Sequence, residues 1–331
     1  MSRRRIIIAV VIVACAATAY ALLGCGASEP ASTQRTVVFT SIVPQEYFVE
    51  RVGGERVEVQ ALVRPGSSPA TYEPAPRQMA ALSEAKLYFR IGVPFENAFL
   101  PKIEEMMKGL RIVDTRKGIT LRAMKAHHHH EGEHEEGEHE AREQHEDHEH
   151  HEGHGEDEDH HHEAGSDPHD PHIWLNPRYV AIQARAIADA LIEIDPAGKA
   201  AYEKNLAAFL EDLDALDAKL AAALAPVKGK TLMVFHPAWG YFADAYGLEQ
   251  EPIEIEGKEP SARQLARIIE QAKQERVRVI FVQPQFSQAS AERVAEAING
   301  AVVPIDPLAR DYIANLEAVA TTVGATLTKQ Q

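Results

Sequence analysis

The chain has 331 residues, 45% of them hydrophobic, with 34 Lys and Arg against 50 Asp and Glu and a formal charge of −16. That length holds two domains of ordinary size, each with its own core. The acidity excludes a basic nucleic-acid surface, and it is local: residues 127–170 carry eighteen acids and one Arg, or −17, which leaves the remainder nearly neutral.

In chain order, MSRRR followed by the apolar run Ile6 to Leu23 has the charged start and greasy middle of an export signal. The run is about long enough to span a bilayer, so an uncleaved anchor helix is the alternative. Leu22, Leu23, Gly24 and Cys25 resemble the lipobox of bacterial lipoproteins, which points to a signal peptide over 1–24 and a lipid on Cys25. Cys15 leaves with that signal, so Cys25 is the sole cysteine of the mature chain and no intramolecular disulfide forms. Any metal site in the folded body would then have to use His and carboxylate, which exchange metal more readily than a thiolate cage. The expected location is the periplasm or cell surface, as a membrane-anchored lipoprotein.

Residues 25–35 read as a linker, and 36–195 as an N-terminal lobe. Thr36 to Pro44 predicts a buried strand ending in a turn, and Gln45 to Val52 a helix closed by Gly53 and Gly54. Strands follow at Val57 to Val63, Leu87 to Ile91 and Arg111 to Asp114, with helices around Pro76 to Ser83 and Asn97 to Lys108. After the acidic tract, Pro177 to Ile194 has amphipathic helical spacing, and Pro196 to Leu224 predicts one long helix, so that 196–225 links the lobes. A C-terminal lobe over 226–331 repeats the alternation. Its strands are expected at Thr231 to Phe235, Glu251 to Ile255, Val277 to Val282 and Ala301 to Ile305, and its helices near Ala238 to Tyr246, Ser261 to Glu275, Ala289 to Asn299 and Asp311 to Val323. This order implies an α/β fold of two similar lobes, with parallel sheets flanked by helices, joined by one helix.

The tract from His127 to Asp170 holds fifteen of the seventeen histidines. Imidazole and carboxylate together suit zinc and its first-row neighbours, so metal handling is the leading reading and a solubilising linker the bland one. Its densest runs, His127, His128, His129 and His130 and then His160, His161 and His162, are auxiliary metal candidates. Only His172 and His236 lie outside it. His236 directly follows one expected strand and Asp306 another, where ligands of open α/β sheets gather. Taken singly, His236 before Pro237 could simply start a helix, and Asp306 before Pro307 could be its N-cap.

Several motifs resemble those of the metal-binding proteins of bacterial ABC importers for zinc and manganese. They are PGSSPATYEP (Pro65 to Pro74), GVPFENAFLP (Gly92 to Pro101), DPHIWLNP (Asp170 to Pro177), FHPAWGYF (Phe235 to Phe242) and IDPLA (Ile305 to Ala309). The His-rich acidic loop before Asp-Pro-His is a habit of the zinc-specific branch. The resemblance implies two lobes joined by a long rigid helix, with His172, His236 and Asp306 as metal ligands. It further implies Zn2+ as cargo, an ABC permease in the membrane as partner, a monomer and no catalytic activity. The first motif departs from the family, because Ala70 stands where a ligand His is expected; His169, Glu73 or a tract histidine could fill the gap. Manganese is the alternative cargo, and a metal-buffering adhesin the alternative role. A zinc hydrolase is the alternative from another class, against which the chain shows neither HExxH nor a nucleophile elbow.

Overall fold

The computed structural model describes residues 35–124, 169–254, 260–286 and 288–329. The export signal, Cys25 and the tract candidates His127 to His130 and His160 to His162 lie outside the described residues. Among the described residues, no helix is long and apolar enough to cross a membrane.

The N-terminal lobe is built on strands β1 (Thr36–Thr40), β2 (Val57–Ala61), β3 (Leu87–Arg90) and β4 (Arg111–Asp114), all parallel, in the order β2-β1-β3-β4. The central strands β1 and β3 are the apolar ones, as burial on both faces of a parallel sheet demands. Three helices alternate with the strands: α1 (Val43–Gly53), α2 (Pro76–Ser83) and α3 (Phe95–Met106). Prolines open α1 and α2, where a missing N–H costs nothing. Helix α4 (Pro177–Ile194) completes this half, its Asn176 side chain accepting from the Arg178 N–H as an N-cap.

The C-terminal lobe repeats the plan with β5 (Thr231–Val234), β6 (Glu249–Pro252), β7 (Val279–Val282) and β8 (Ala301–Pro304), again parallel and again ordered β6-β5-β7-β8. Helices α6 (Gly240–Tyr246), α7 (Ala262–Gln274), α8 (Ala289–Ala297) and α9 (Tyr312–Thr328) flank it. In both lobes the chain visits the edge strand and then returns across the first, which leaves a crevice at the carboxyl ends of β1 and β3 and of β5 and β7.

Between the lobes runs α5 (Lys199–Leu224), 26 residues and about 39 Å long at 1.5 Å per residue. Its buried residues Tyr202, Phe209, Leu213, Leu216, Leu220 and Leu224 recur at helical spacing and form one stripe. The helix starts at Lys199 rather than Pro196, because Pro196 forces Asp195 out of helical geometry and residues 196–198 form a 3-10 turn. Asp195 is used instead as a node, taking hydrogen bonds from Arg56 Nε at 2.7 Å and Tyr202 Oη at 2.7 Å. One continuous core crosses the lobes. Phe48 of α1 meets Phe209 of α5 and stands edge-on to Tyr312 of α9, with ring centroids 6.1 and 4.9 Å apart.

Several C-terminal bounds differ from expectation: helix α9 runs on to Thr328, five residues past Val323, strand β7 starts at Val279 rather than Val277, and two further shifts bear on the site. Strand β6 ends at Pro252 instead of running from Glu251 to Ile255, because its register is fixed by pairing with β5, Val234 opposite Pro252. Helix α6 starts at Gly240 rather than Ala238, since residues 236–239 form the turn that carries His236.

A buried carboxylate shapes the loop after β3. Glu96 accepts from Ile91 N–H and Gly92 N–H, both at 2.9 Å, from Arg90 Nε at 3.1 Å and from the Ser41 hydroxyl. Burial pushes its carboxyl up, and these donors oppose the shift. Gly92 turns this loop at φ +90, and a Cβ there would run into the Arg116 side chain. Gly92→Ala is expected to cost about 1–2 kcal/mol, read as a lower urea midpoint with an unchanged slope.

Candidate metal centre

Loops from both lobes meet over one small cavity of about 60 Å³, room for an ion and a few waters. Ala70 and Pro69 reach it from beyond β2, Val93 and Pro94 from beyond β3, His236 from beyond β5 and Gln285 and Phe286 from beyond β7. All of these stand past carboxyl ends of strands, as the crevice rule requires.

His172 arrives on a segment held by both halves. Ala123 and His169 form an antiparallel bridge, and Asp170 N–H donates to the Arg122 carbonyl at 2.9 Å. Tyr241 Oη donates to the Asp170 carbonyl at 2.9 Å, the Trp174 indole to the Pro307 carbonyl at 2.7 Å and Tyr312 Oη to the Trp174 carbonyl at 2.8 Å. His172 is thus fixed against the C-terminal lobe although it precedes the linking helix.

The two imidazoles come together with ring centroids 5.3 Å apart. Each is gripped from behind by a buried carboxylate: His172 Nδ1 lies 2.7 Å from Asp170 Oδ1, and His236 Nδ1 lies 2.9 Å from Glu254 Oε2. A carboxylate accepts only, so Nδ1 carries the proton on each ring and the lone pair is left on Nε2. This carboxylate–histidine arrangement is the habitual support of metal-binding imidazoles. Phe286 stacks on His236 with centroids 4.6 Å apart, and Trp174 packs 5.0 Å from His172.

Burial holds His172 below the ordinary imidazole range, with Asp170 opposing. A metal competes only for the neutral ring, so His172 stays competent at pH values where a solvated imidazole has already charged. Zinc loading of the full chain is expected to fall as pH drops from about 7 to 5, with His172 among the last rings to charge. Calorimetric titration at the two pH values checks this, and unchanged stoichiometry at pH 5 contradicts it.

The other expected residues lie apart from this pair. Asp306 lines an adjoining groove with Glu46, Arg64 and Arg310, its Oδ1 accepting from Gln285 Nε2 at 2.8 Å and Leu308 N–H at 2.9 Å. Glu73 lines a separate groove on the first lobe with Tyr72, Phe95, Lys102 and Met106. His169 sits in the bridge to Ala123. Among the described residues no group of three or more His, Cys, Asp and Glu is placed to hold a metal. Sequence reasoning missed Glu254 and Gln285. The parallel register supplied the signal for Glu254: with Val234 opposite Pro252, residues 236 and 254 both lie two positions past the strand ends, side by side.

The family description of the zinc-uptake complex component A, periplasmic (ZnuA), matches residues 38–325. This chain belongs to the ZnuA family. A solved structure described as a crystal structure of ZnuA has 38% sequence identity and a TM-score of 0.74, covering 88% of this chain and 99% of that one. The chain is 30% identical over 265 residues to the high-affinity zinc uptake system protein ZnuA of Bacillus subtilis, covering 79% of this chain and 73% of that protein. It is also 30% identical over 295 residues to the zinc-binding lipoprotein AdcA of Streptococcus pneumoniae, covering 87% of this chain but 52% of AdcA. ZnuA-family proteins are transport components and not enzymes, which sets the hydrolase alternative aside.

Proposed function

We propose that this chain is the extracytoplasmic zinc receptor of an ABC importer, which takes the ion between His172 and His236 and passes it to a membrane permease. The observation that carries this reading is the pair itself: two imidazoles at 5.3 Å, each with Nδ1 committed to a buried carboxylate. Paired imidazoles favour zinc over manganese, which prefers oxygen donors. Both donors are neutral, so the cation's charge is answered by Asp170 and Glu254 behind the rings.

The lipobox-like sequence at Cys25 and the lipoprotein named among the relatives support a lipid tether outside the cytoplasmic membrane. The tract serves as a low-affinity antenna: its imidazoles and carboxylates hold several ions weakly and raise their concentration beside the cleft. Deleting residues 127–166, which spares the Ala123–His169 bridge and the Asp170 carboxylate behind His172, is expected to lower zinc stoichiometry while leaving at least one site, counted by calorimetry. If the deletion removes every site, the cleft holds no ion and the receptor reading fails.

A further inference from the structure

We infer that Gln285 supplies the third donor to the cleft metal through its amide oxygen, and that Asp306 acts behind it as a positioning residue. The inference rests on the receptor reading and adds a third donor from the C-terminal lobe, while the position beside Ala70 stays without a ligand.

Gln285 stands in the wall shared by two cavities, lining both the histidine pocket and the groove that holds Asp306. Its Nε2 donates to Asp306 Oδ1 at 2.8 Å. That bond fixes the sense of the amide, because a carboxylate only accepts: the NH2 end must face Asp306 and the oxygen end must face away. The oxygen so turned is buried and has no hydrogen-bond partner among the described residues. A buried acceptor without a partner is costly and rare, and in a residue that lines a cavity next to two metal-type imidazoles a cation is the partner that fits.

A single pattern then covers the whole site. His172, His236 and Gln285 all line the cavity, and each is held on its far side by a carboxylate, Asp170 at 2.7 Å, Glu254 at 2.9 Å and Asp306 at 2.8 Å. On this assignment the ion takes two nitrogens and one oxygen, all neutral, while three carboxylates stand one hydrogen bond further out. Asp306 itself is occupied by Gln285 and by Leu308 N–H, which explains why it lines the neighbouring groove and not the histidine pocket. A fourth position stays open to water, as an exchangeable zinc site requires.

The test is competitive zinc titration of the full-length chain against a chelator, with cleft occupancy read from the fluorescence of Trp174 beside His172. Gln285→Leu, and Gln285→Asn, which withdraws the same amide by one methylene, are both expected to weaken cleft affinity at least tenfold. Gln285→Glu/Asp306→Asn, which keeps an oxygen at the same reach and lets residue 306 donate to it in place of two opposed carboxylates, is expected to bind at least tenfold more tightly than Gln285→Leu. Asp306→Asn is expected to lose no more than Gln285→Leu does. The assignment is overturned if Gln285→Leu or Gln285→Asn loses less than tenfold, if Gln285→Glu/Asp306→Asn is within tenfold of Gln285→Leu, or if Asp306→Asn costs more than either Gln285→Leu or Gln285→Asn, which puts the carboxylate on the metal. His172→Ala and His236→Ala separate the two failures. If these abolish the fluorescence response while the Gln285 variants leave it intact, only the Gln285 assignment falls; if they too change nothing, the receptor reading falls with it.

Discussion

His236→Ala is expected to weaken zinc binding in the cleft by two orders of magnitude or more. A four-donor zinc site in a small domain is worth about 10–16 kcal/mol, so one donor carries about 3 kcal/mol, or about a hundredfold in affinity. His236 carries at least that share because its loss also strands Glu254, a carboxylate buried to 4% exposure whose oxygen lies 2.9 Å from the ring it supports. An uncompensated buried anion destabilises the apo fold as well, so the variant is best paired with His236→Ala/Glu254→Gln, which removes that charge. Competition against a chelator reads affinity, and a thermal melt without metal reads the fold. A common hundredfold loss in both variants, with a lower melting temperature only in the first, is the expected result. Affinity within a fewfold of the parent chain in the charge-relieved variant contradicts a ligand role for His236.

The opposite substitution is expected to be the largest gain. Ala70 lines the same cavity as His172 and His236, and it stands where the resemblance expects a histidine. Ala70→His brings an imidazole from beyond β2 of the first lobe to a pair that is anchored against the second. Zinc completes a four-donor shell readily with nitrogen, and one added donor at about 3 kcal/mol tightens affinity about a hundredfold. Because the new donor belongs to the other lobe, the ion then links loops on both sides of the crevice, and dissociation slows with it. Stopped-flow transfer of zinc to an excess of chelator measures this rate. An Ala70→His chain that releases zinc as fast as the parent shows that residue 70 does not face the ion.

Much of the architecture was legible because local signals coincide with the tertiary ones. Pro177 with Asn176 before it, and Asp195-Pro196 after, bracket α4 at the expected residues, and Pro76 does the same for the start of α2. The alternation of apolar runs with amphipathic helices is enough to give two parallel sheets, and the topology repeats in each lobe. Strand β6 was misplaced because EQEP carries no hydrophobic alternation: its position is set by the neighbouring β5 and not by its own side chains. That same displacement hid the support of the site. Read as part of a strand, Glu254 is one more alternating residue; placed two positions past Pro252, it stands beside His236.

The histidines themselves were legible from motifs, since His172 and His236 are the pair outside the tract and each sits in a distinctive segment. Their mutual distance was not. It depends on Trp174, Tyr241 and Tyr312 fastening the His172 segment across the lobes, through hydrogen bonds whose partners are up to 138 residues apart in the chain. Gln285 was invisible for a related reason. Glutamine after a strand is an ordinary surface residue until β7 and β8 pair, Val282 opposite Pro304, and bring Asp306 to its amide.

The most direct measurement is a zinc-loaded crystal structure with anomalous scattering recorded on both sides of the zinc edge. One peak about 2.0–2.1 Å from Nε2 of both His172 and His236 is the predicted result. A zinc peak bound to one of these rings alone, or the two rings turned to separate ions, would contradict a shared site in the crevice.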